Sequence, residues 1–305
     1  MPLIQPSTRD LFSEGRRTKG YSWFDFVHGY AYARWPYLYI GIGTQEHPSS
    51  AWVVPLVNGI ARLFGAFSGG EPHAKGMAET YHGKVVTTEA AKQLVRVQEP
   101  IALPNLEHII PFQHARDIVI TNPDHIAVLE CPCRASRPNP CLPLDVCLIV
   151  GEPFAGFIID HHPEKARWIT QQEAVEILEA ERDRGHVHHA FFKDAMLNRF
   201  YAICNCCSCC CGAMQAARNG TPMLISSGYV SHVDQDLCIQ CGLCEEVCPF
   251  DALALGTASP EINQEACMGC GLYVAACAQG ALTLQRDDSK GAPLEIAALL
   301  AMQEA

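Results

Sequence analysis

Apolar residues recur at helical spacing in three places along the chain. Trp52, Val53, Leu56, Ile60, Leu63, Phe64 and Phe67 form one stripe, with Asn58 and Arg62 opposite, which predicts an amphipathic helix over 51–67. A second helical pattern covers 88–97. In the third, Thr170-x-x-Glu173 has the form of a capping box, Ala174, Ile177 and Leu178 make the stripe, and Gly185 ends it. Further on, the regularity lies between elements. Residues 229–256 and 258–285 repeat at an offset of 29: Val233 falls on Ile262, Asp236 on Glu265, Gly242 on Gly271, Ala252-Leu253 on Ala281-Leu282, and Leu255 on Leu284. Such a pattern is one supersecondary unit used twice.

Composition adds that 305 residues, 49% hydrophobic and 18% charged, suffice for a real core in one large or two modest domains. The formal charge of −11 argues against nucleic acid, whose binding rests on cationic neutralisation of phosphates. That charge is uneven. The first 67 residues carry 6 basic and 4 acidic groups, whereas 229–305 carry 2 and 11. An acidic carboxy-terminal surface suits docking on a basic patch of a partner protein.

The 17 cysteines change the picture most: four lie at 131–147, six at 204–211 and seven at 238–277. A disulfide scaffold is usually short, secreted and even in count. This chain is long and odd-counted, and the residues after Arg16-Arg17 form no apolar export block. The expectation is a reducing, cytoplasmic setting with thiols that hold metal.

Within the repeat, Cys238, Cys241, Cys244 and Cys248 fall on Cys267, Cys270, Tyr273 and Cys277. The first copy, C-x2-C-x2-C-x3-C-P, resembles the bacterial two-cluster ferredoxin motif, in which the fourth cysteine of each run serves the other copy's cluster. A zinc ribbon also uses C-x2-C pairs, but not this triple run closed by Cys-Pro. The resemblance implies a 4Fe-4S cluster on Cys238, Cys241, Cys244 and Cys277. It leaves Cys248, Cys267 and Cys270 for a second site that lacks one thiolate, because Tyr273 replaces the fourth. That site is open to three readings: a 3Fe-4S cluster, a 4Fe-4S cluster with water, Tyr273 or an outside ligand on the fourth iron, or no cluster. The favoured one is an occupied site with Tyr273 packing in the gap.

Upstream, Cys131-Pro-Cys133-Arg134 and Cys141 to Cys147 share a proline-rich stretch, read as a stiff loop without helix. Arg134 and Arg137 either lower nearby thiol pKa values or are solvated loop residues. Cys204, Cys206, Cys207, Cys209, Cys210 and Cys211 crowd eight positions. Neighbouring side chains diverge by about 100° on a helix and 180° on a strand, so these six do not all serve one centre. The ten upstream cysteines suffice for two four-thiolate cubanes, or for one six-ligand cluster with four to spare. In one specific alternative Cys131, Cys133, Cys141 and Cys147 share a cluster. Among the histidines, surface or core roles outweigh ligation, and His188 alone is singled out as a candidate beside a cluster.

The order Cys-x-Cys-Arg, capped helix, Gly185-His186-Val187-His188, Cys-Asn-Cys-Cys-x-Cys-Cys-Cys and ferredoxin repeat resembles a group of cytosolic iron–sulfur proteins, mostly of anaerobes, over roughly 125–286. That group implies iron–sulfur binding and electron transfer and no further reaction.

The first third has no ligand motif. Nine of the 25 Phe, Trp and Tyr residues lie between 21 and 40, a density that marks an aromatic core or a docking surface. With 51–67, this basic aromatic end suits membrane headgroups or a membrane-bound partner, peripherally. No flavin or nicotinamide loop occurs, since Gly41-x-Gly43 is too short.

The expected fold is α+β: a docking or helical region (1–125), a mixed α/β Cys-rich domain (126–228), a ferredoxin-like (βαβ)2 module (229–287) and a helical tail (288–305). The expected function is an iron–sulfur electron-transfer protein, a subunit or dedicated redox partner of an anaerobic oxidoreductase. The alternative is an enzyme that reduces a small substrate at an atypical cluster in the Cys-rich domain.

Overall fold

A computed structural model describes residues 4–56, 59, 73–257 and 259–304. The chain is mixed α and β. Its frame is an eight-stranded sheet built from β1 (Tyr81–Val86), β2 (Ile101–Leu103), β3 (Ile118–Glu130), β4 (Asp145–Glu152), β5 (Ala166–Ile169), β6 (Val187–Lys193), β7 (Arg199–Cys206) and β8 (Leu224–Ile225). The order is β2-β3-β4-β7-β6-β1-β8, with β5 added to β3, and every pairing is antiparallel except β1 with β8.

The central strands β6 and β7 are buried on both faces because both faces are covered. On one side lie α5 (Thr88–Val95), α8 (Gln171–Asp183) and the last helix, α12 (Ile296–Glu304), around Leu94, Leu178, Phe192 and Leu299. On the other lie α1 (Pro6–Gly15), α2 (Trp23–Arg34), α3 (Pro36–Gly43) and α7 (Phe154–His161), around Leu11, Tyr32, Phe157 and Phe191. A further helix, α4 (His73–Thr80), leads into β1.

The helix expected over 88–97 forms with Thr87 as its cap, accepting from the Ala90 N–H at 3.2 Å. Thr170 caps α8 through the Glu173 N–H at 3.1 Å, but Glu173 does not close the box. Its carboxylate pairs with Arg167 at 2.6 Å instead. The box that is complete joins Ser22 and Asp25 at the start of α2. Of the stripe over 51–67, residues 50–56 are helical with Trp52 and Leu56 exposed; 57–58 and 60–67 lie outside the described residues. No helix among the described residues is long and apolar enough to cross a membrane.

The aromatic segment is divided between core and surface. Tyr32 is buried, while Trp23, Phe24 and Trp35 are exposed.

The repeat becomes two small two-stranded antiparallel sheets, β9 (Tyr229–Val233) with β12 (Leu282–Arg286) and β10 (Leu253–Leu255) with β11 (Pro260–Ile262), plus the short helices α10 (Leu243–Val247) and α11 (Leu272–Ala276). Both helices start from a glycine in the left-handed region, Gly242 at φ 80° and Gly271 at φ 79°, a backbone state that glycine adopts freely. The unit docks on the sheet where Leu272 and Cys270 meet Val85 and Val187.

Candidate metal centres

The strands and their ends divide the ten upstream thiols in two. Cys131 follows β3 directly and starts a one-turn helix, α6 (Pro132–Ala135), that carries Cys133. This corrects the expectation of a helix-free loop: Pro132 stands in the first turn, where its missing N–H has no helical partner to lose. Cys147 belongs to β4 opposite Leu129. Cys204 and Cys206, two apart on β7, share one face of the sheet. Cys211 caps α9 (Gly212–Arg218).

These six, Cys131, Cys133, Cys147, Cys204, Cys206 and Cys211, line one cavity of about 80 Å³ whose other walls include Tyr32, Tyr81, Phe191 and Tyr201. Cys147 Sγ lies 3.9 Å from Cys204 Sγ, and Cys211 Sγ lies 3.1 Å from Cys206 Sγ. Cys131 lies within electrostatic reach of both Cys133 and Cys147, and Cys133 within reach of Cys211. The thiols therefore form an unbroken girdle.

The other four form a separate set. Cys141, Cys207, Cys209 and Cys210 place their sulfurs within 4.8 Å of one another. They are compact enough for one tetrahedral ion, whose metal–sulfur bonds of about 2.3 Å bring the ligands close. The Cys204–Cys211 run is thus shared three and three, and Cys141 joins the later run rather than Cys131, Cys133 and Cys147. Cys141, Cys207 and Cys209 also line a cleft that contains Cys248 of the ferredoxin unit.

Burial and crowding disfavour thiolates in the girdle. Cys131 is pushed up to about 12, by its contact with Cys133 and then by burial. Cys147 lies well above its ordinary value through its contacts with Cys131 and Cys204 and through burial. Such thiols are poor free nucleophiles. A metal cation reverses that balance by replacing the protons, so the donor set fits a metal and does not fit nucleophilic chemistry.

Arg134 is no solvated loop residue. It is 1% exposed and ion-pairs with Glu181, which is wholly buried. It also donates to the Pro143 carbonyl at 2.6 Å and the Asn205 carbonyl at 2.9 Å. Burial pushes the Glu181 carboxyl up, but His186, at 2.7 Å, and Arg134 together hold it below its ordinary value. One guanidinium thus ties the cysteine loop, α8 and β7 together. Arg137 likewise binds the Cys210 carbonyl at 3.2 Å, Gln215 at 2.9 Å and Glu46. His188 is a satisfied core residue, bonded to Asn205 at 2.6 Å and Thr88 at 3.2 Å. Sequence reasoning missed Glu181 and His186, for which the only local signal was a carboxylate and a histidine bracketing the end of a helix.

In the ferredoxin unit, Cys238 and Cys241 lie within electrostatic reach of Cys244, and Cys277 packs beside Cys244. Cys248 and Cys267 lie within reach of Cys270. Backbone N–H groups already point at two of these sulfurs, Ser231 at Cys267 at 3.4 Å and Ala252 at Cys248 at 3.3 Å. Tyr273 is buried beside the same three thiols, and its hydroxyl faces Ser231 without a well-aligned hydrogen bond to any described residue. Gly269 must be glycine, since a Cβ there would stand 2.2 Å from the Tyr229 carbonyl oxygen.

The family described as the 4Fe-4S binding domain matches residues 231–254, which hold Cys238, Cys241, Cys244 and Cys248. No curated protein matches the chain. The chain therefore carries a ferredoxin-type 4Fe-4S binding domain, and its thiols point to iron–sulfur electron transfer.

Proposed function

We propose that the chain is a multi-centre iron–sulfur electron-transfer protein, a subunit or dedicated partner of a larger oxidoreductase. The observation that carries this reading is the succession of thiol groups. The ferredoxin unit presents Cys248 to the cleft lined by Cys141, Cys207 and Cys209, and Cys207 also borders the cavity of the six-thiol girdle. Clusters in these positions supply one-electron transfer. The protein's own part is to fix the sulfurs: Arg134 and Arg137 hold the cysteine loop against β7 and α9, and the Ser231 and Ala252 N–H groups stabilise negative charge on Cys267 and Cys248. In this reading the crossed ligand sets of a two-cluster ferredoxin apply, with Cys277 completing the first site and Cys248 the second. The acidic carboxy-terminal unit and the exposed Trp23, Phe24 and Trp35 are two docking faces for redox partners.

The test is an oxygen-free preparation of the full chain, assayed for iron, sulfide and zinc and for low-temperature EPR after reduction. More than eight irons per chain, at up to four per cluster, extend the succession beyond the ferredoxin unit. Eight or fewer confine iron to that unit and sink the multi-centre reading. Zinc at Cys141, Cys207, Cys209 and Cys210 would interrupt the line, because zinc has no redox chemistry.

A further inference from the structure

A second cavity adjoins the girdle from outside. It encloses about 520 Å³ between α2, α3, α4, β1, β6 and α9, a size that holds a small organic molecule. Tyr32, Tyr81 and Cys133 line both spaces, so a molecule in the outer cavity would lie against the thiol girdle.

Lys193, at the end of β6, lines this cavity and is 3% exposed. Among the described residues its ammonium makes no ion pair and no hydrogen bond, and the one carboxylate that acts on it, from a distance, is Asp194. It lies 5.2 Å from the ring centre of Tyr32 and 4.7 Å from that of Tyr81. The neighbouring carboxylate, Asp194, accepts from the Ala195 N–H at 2.5 Å. Ring faces offset only part of the cost of burying a cation, and an unpaired buried charge is rare unless something pairs it. The same charge is felt by His28, which burial and then Lys193 hold below its ordinary value. Burial draws Lys193 itself down to about 8, against a smaller opposing pull from Asp194.

We infer that this cavity is a binding site for a small monocarboxylate with an apolar or aromatic body, its carboxylate on Lys193 and its body against Tyr81, Ile40 and Met223. The single cation favours a monoanion. A phosphate or dicarboxylate would leave a second charge among apolar walls. The inference rests on the cavity and its lysine, independently of which metal the girdle holds.

The probe is benzoate, with benzamide as its neutral counterpart of the same shape, titrated by calorimetry into the full chain purified without oxygen. The expected result is benzoate binding at least tenfold tighter than benzamide. Lys193→Met should weaken benzoate at least tenfold and leave benzamide and the iron content unchanged. Ala216→Trp, which fills the cavity and keeps the charge, should abolish binding of both, so the site remains testable where Lys193→Met does not fold. Equal affinity for the two probes, no benzoate binding, or benzoate binding retained in either folded variant would overturn the assignment.

Discussion

The sheet domain and the ferredoxin unit both collect cysteines, yet they do so by opposite means. In the sheet domain the thiols stand on or beside strands of 8 and 13 residues whose faces are buried against helices, in cores of more than twenty residues each. There the fold places the sulfur. In the ferredoxin unit the strands have 3 to 5 residues, the helices 5, and the small apolar clusters include the cysteines themselves. So little buried surface does not hold such a unit together, and a bound cluster supplies folding free energy as well as redox capacity.

The largest break between the two should come from stripping metal. Chelation of the full chain under nitrogen is expected to remove amide-exchange protection across 234–286 while β3, β4, β6 and β7 keep theirs. Protection retained in both regions would show that the carboxy-terminal unit folds without its ligands.

Next in size is Arg134→Met. Removing the guanidinium leaves the buried Glu181 carboxylate to His186, at 2.7 Å, and Arg184, at 3.0 Å, a loss of about 1.5–3 kcal/mol in denaturant unfolding. It should also release iron from the upstream groups and spare the ferredoxin unit. The pH dependence has a definite sign. Because Glu181 is held below its ordinary value in the folded chain, its contribution is fully present above its unfolded value of about 4.3 and is lost as the pH falls through the folded value. Arg134→Met should flatten that acid limb. An unchanged limb would mean that other carboxylates set it.

Single thiols give a smaller, cleaner contrast. Cys241→Ser should lose about four irons and local protection around 234–255, as expected for a ligand of one cubane. Cys206→Ser should lose upstream iron while the unfolding midpoint of the sheet shifts little, since serine is nearly isosteric and the surrounding strands persist. Equal destabilisation of both regions by both variants would erase the distinction.

The same contrast explains what could be read from the sequence. The ferredoxin repeat was legible because its ligands lie two or three residues apart on one loop, and the left-handed Gly242 and Gly271 recur with them. The helices over 88–95 and 171–183 were legible from their caps and stripes. The division into six and four thiols was not, because it depends on Cys141 crossing to a turn more than sixty residues later. Counting allowed the division without selecting it. Arg134 read as either a thiol-tuning or a solvated loop cation because the carboxylate that pairs with it lies 47 residues on, across the sheet. Lys193 gave no signal at all: its solitude is a property of the cavity around it.

The smallest expected effect probes the one position where the ferredoxin repeat departs from its own pattern. Tyr273 occupies the place of a fourth ligand, buried, with its hydroxyl facing Ser231 beside Cys248, Cys267 and Cys270. A phenol whose proton is held more tightly by burial and by three neighbouring thiols is a poor anionic ligand, so in the proposed second site the side chain would fill space and leave one corner without protein sulfur. Tyr273→Cys should therefore raise iron by about one per chain and replace a three-iron EPR signal with a four-iron one. Tyr273→Phe, which keeps the volume and removes the oxygen, should leave both unchanged. Iron lost in the phenylalanine variant would instead make the tyrosine oxygen a ligand, and the two halves of the repeat would then each hold a full set of four.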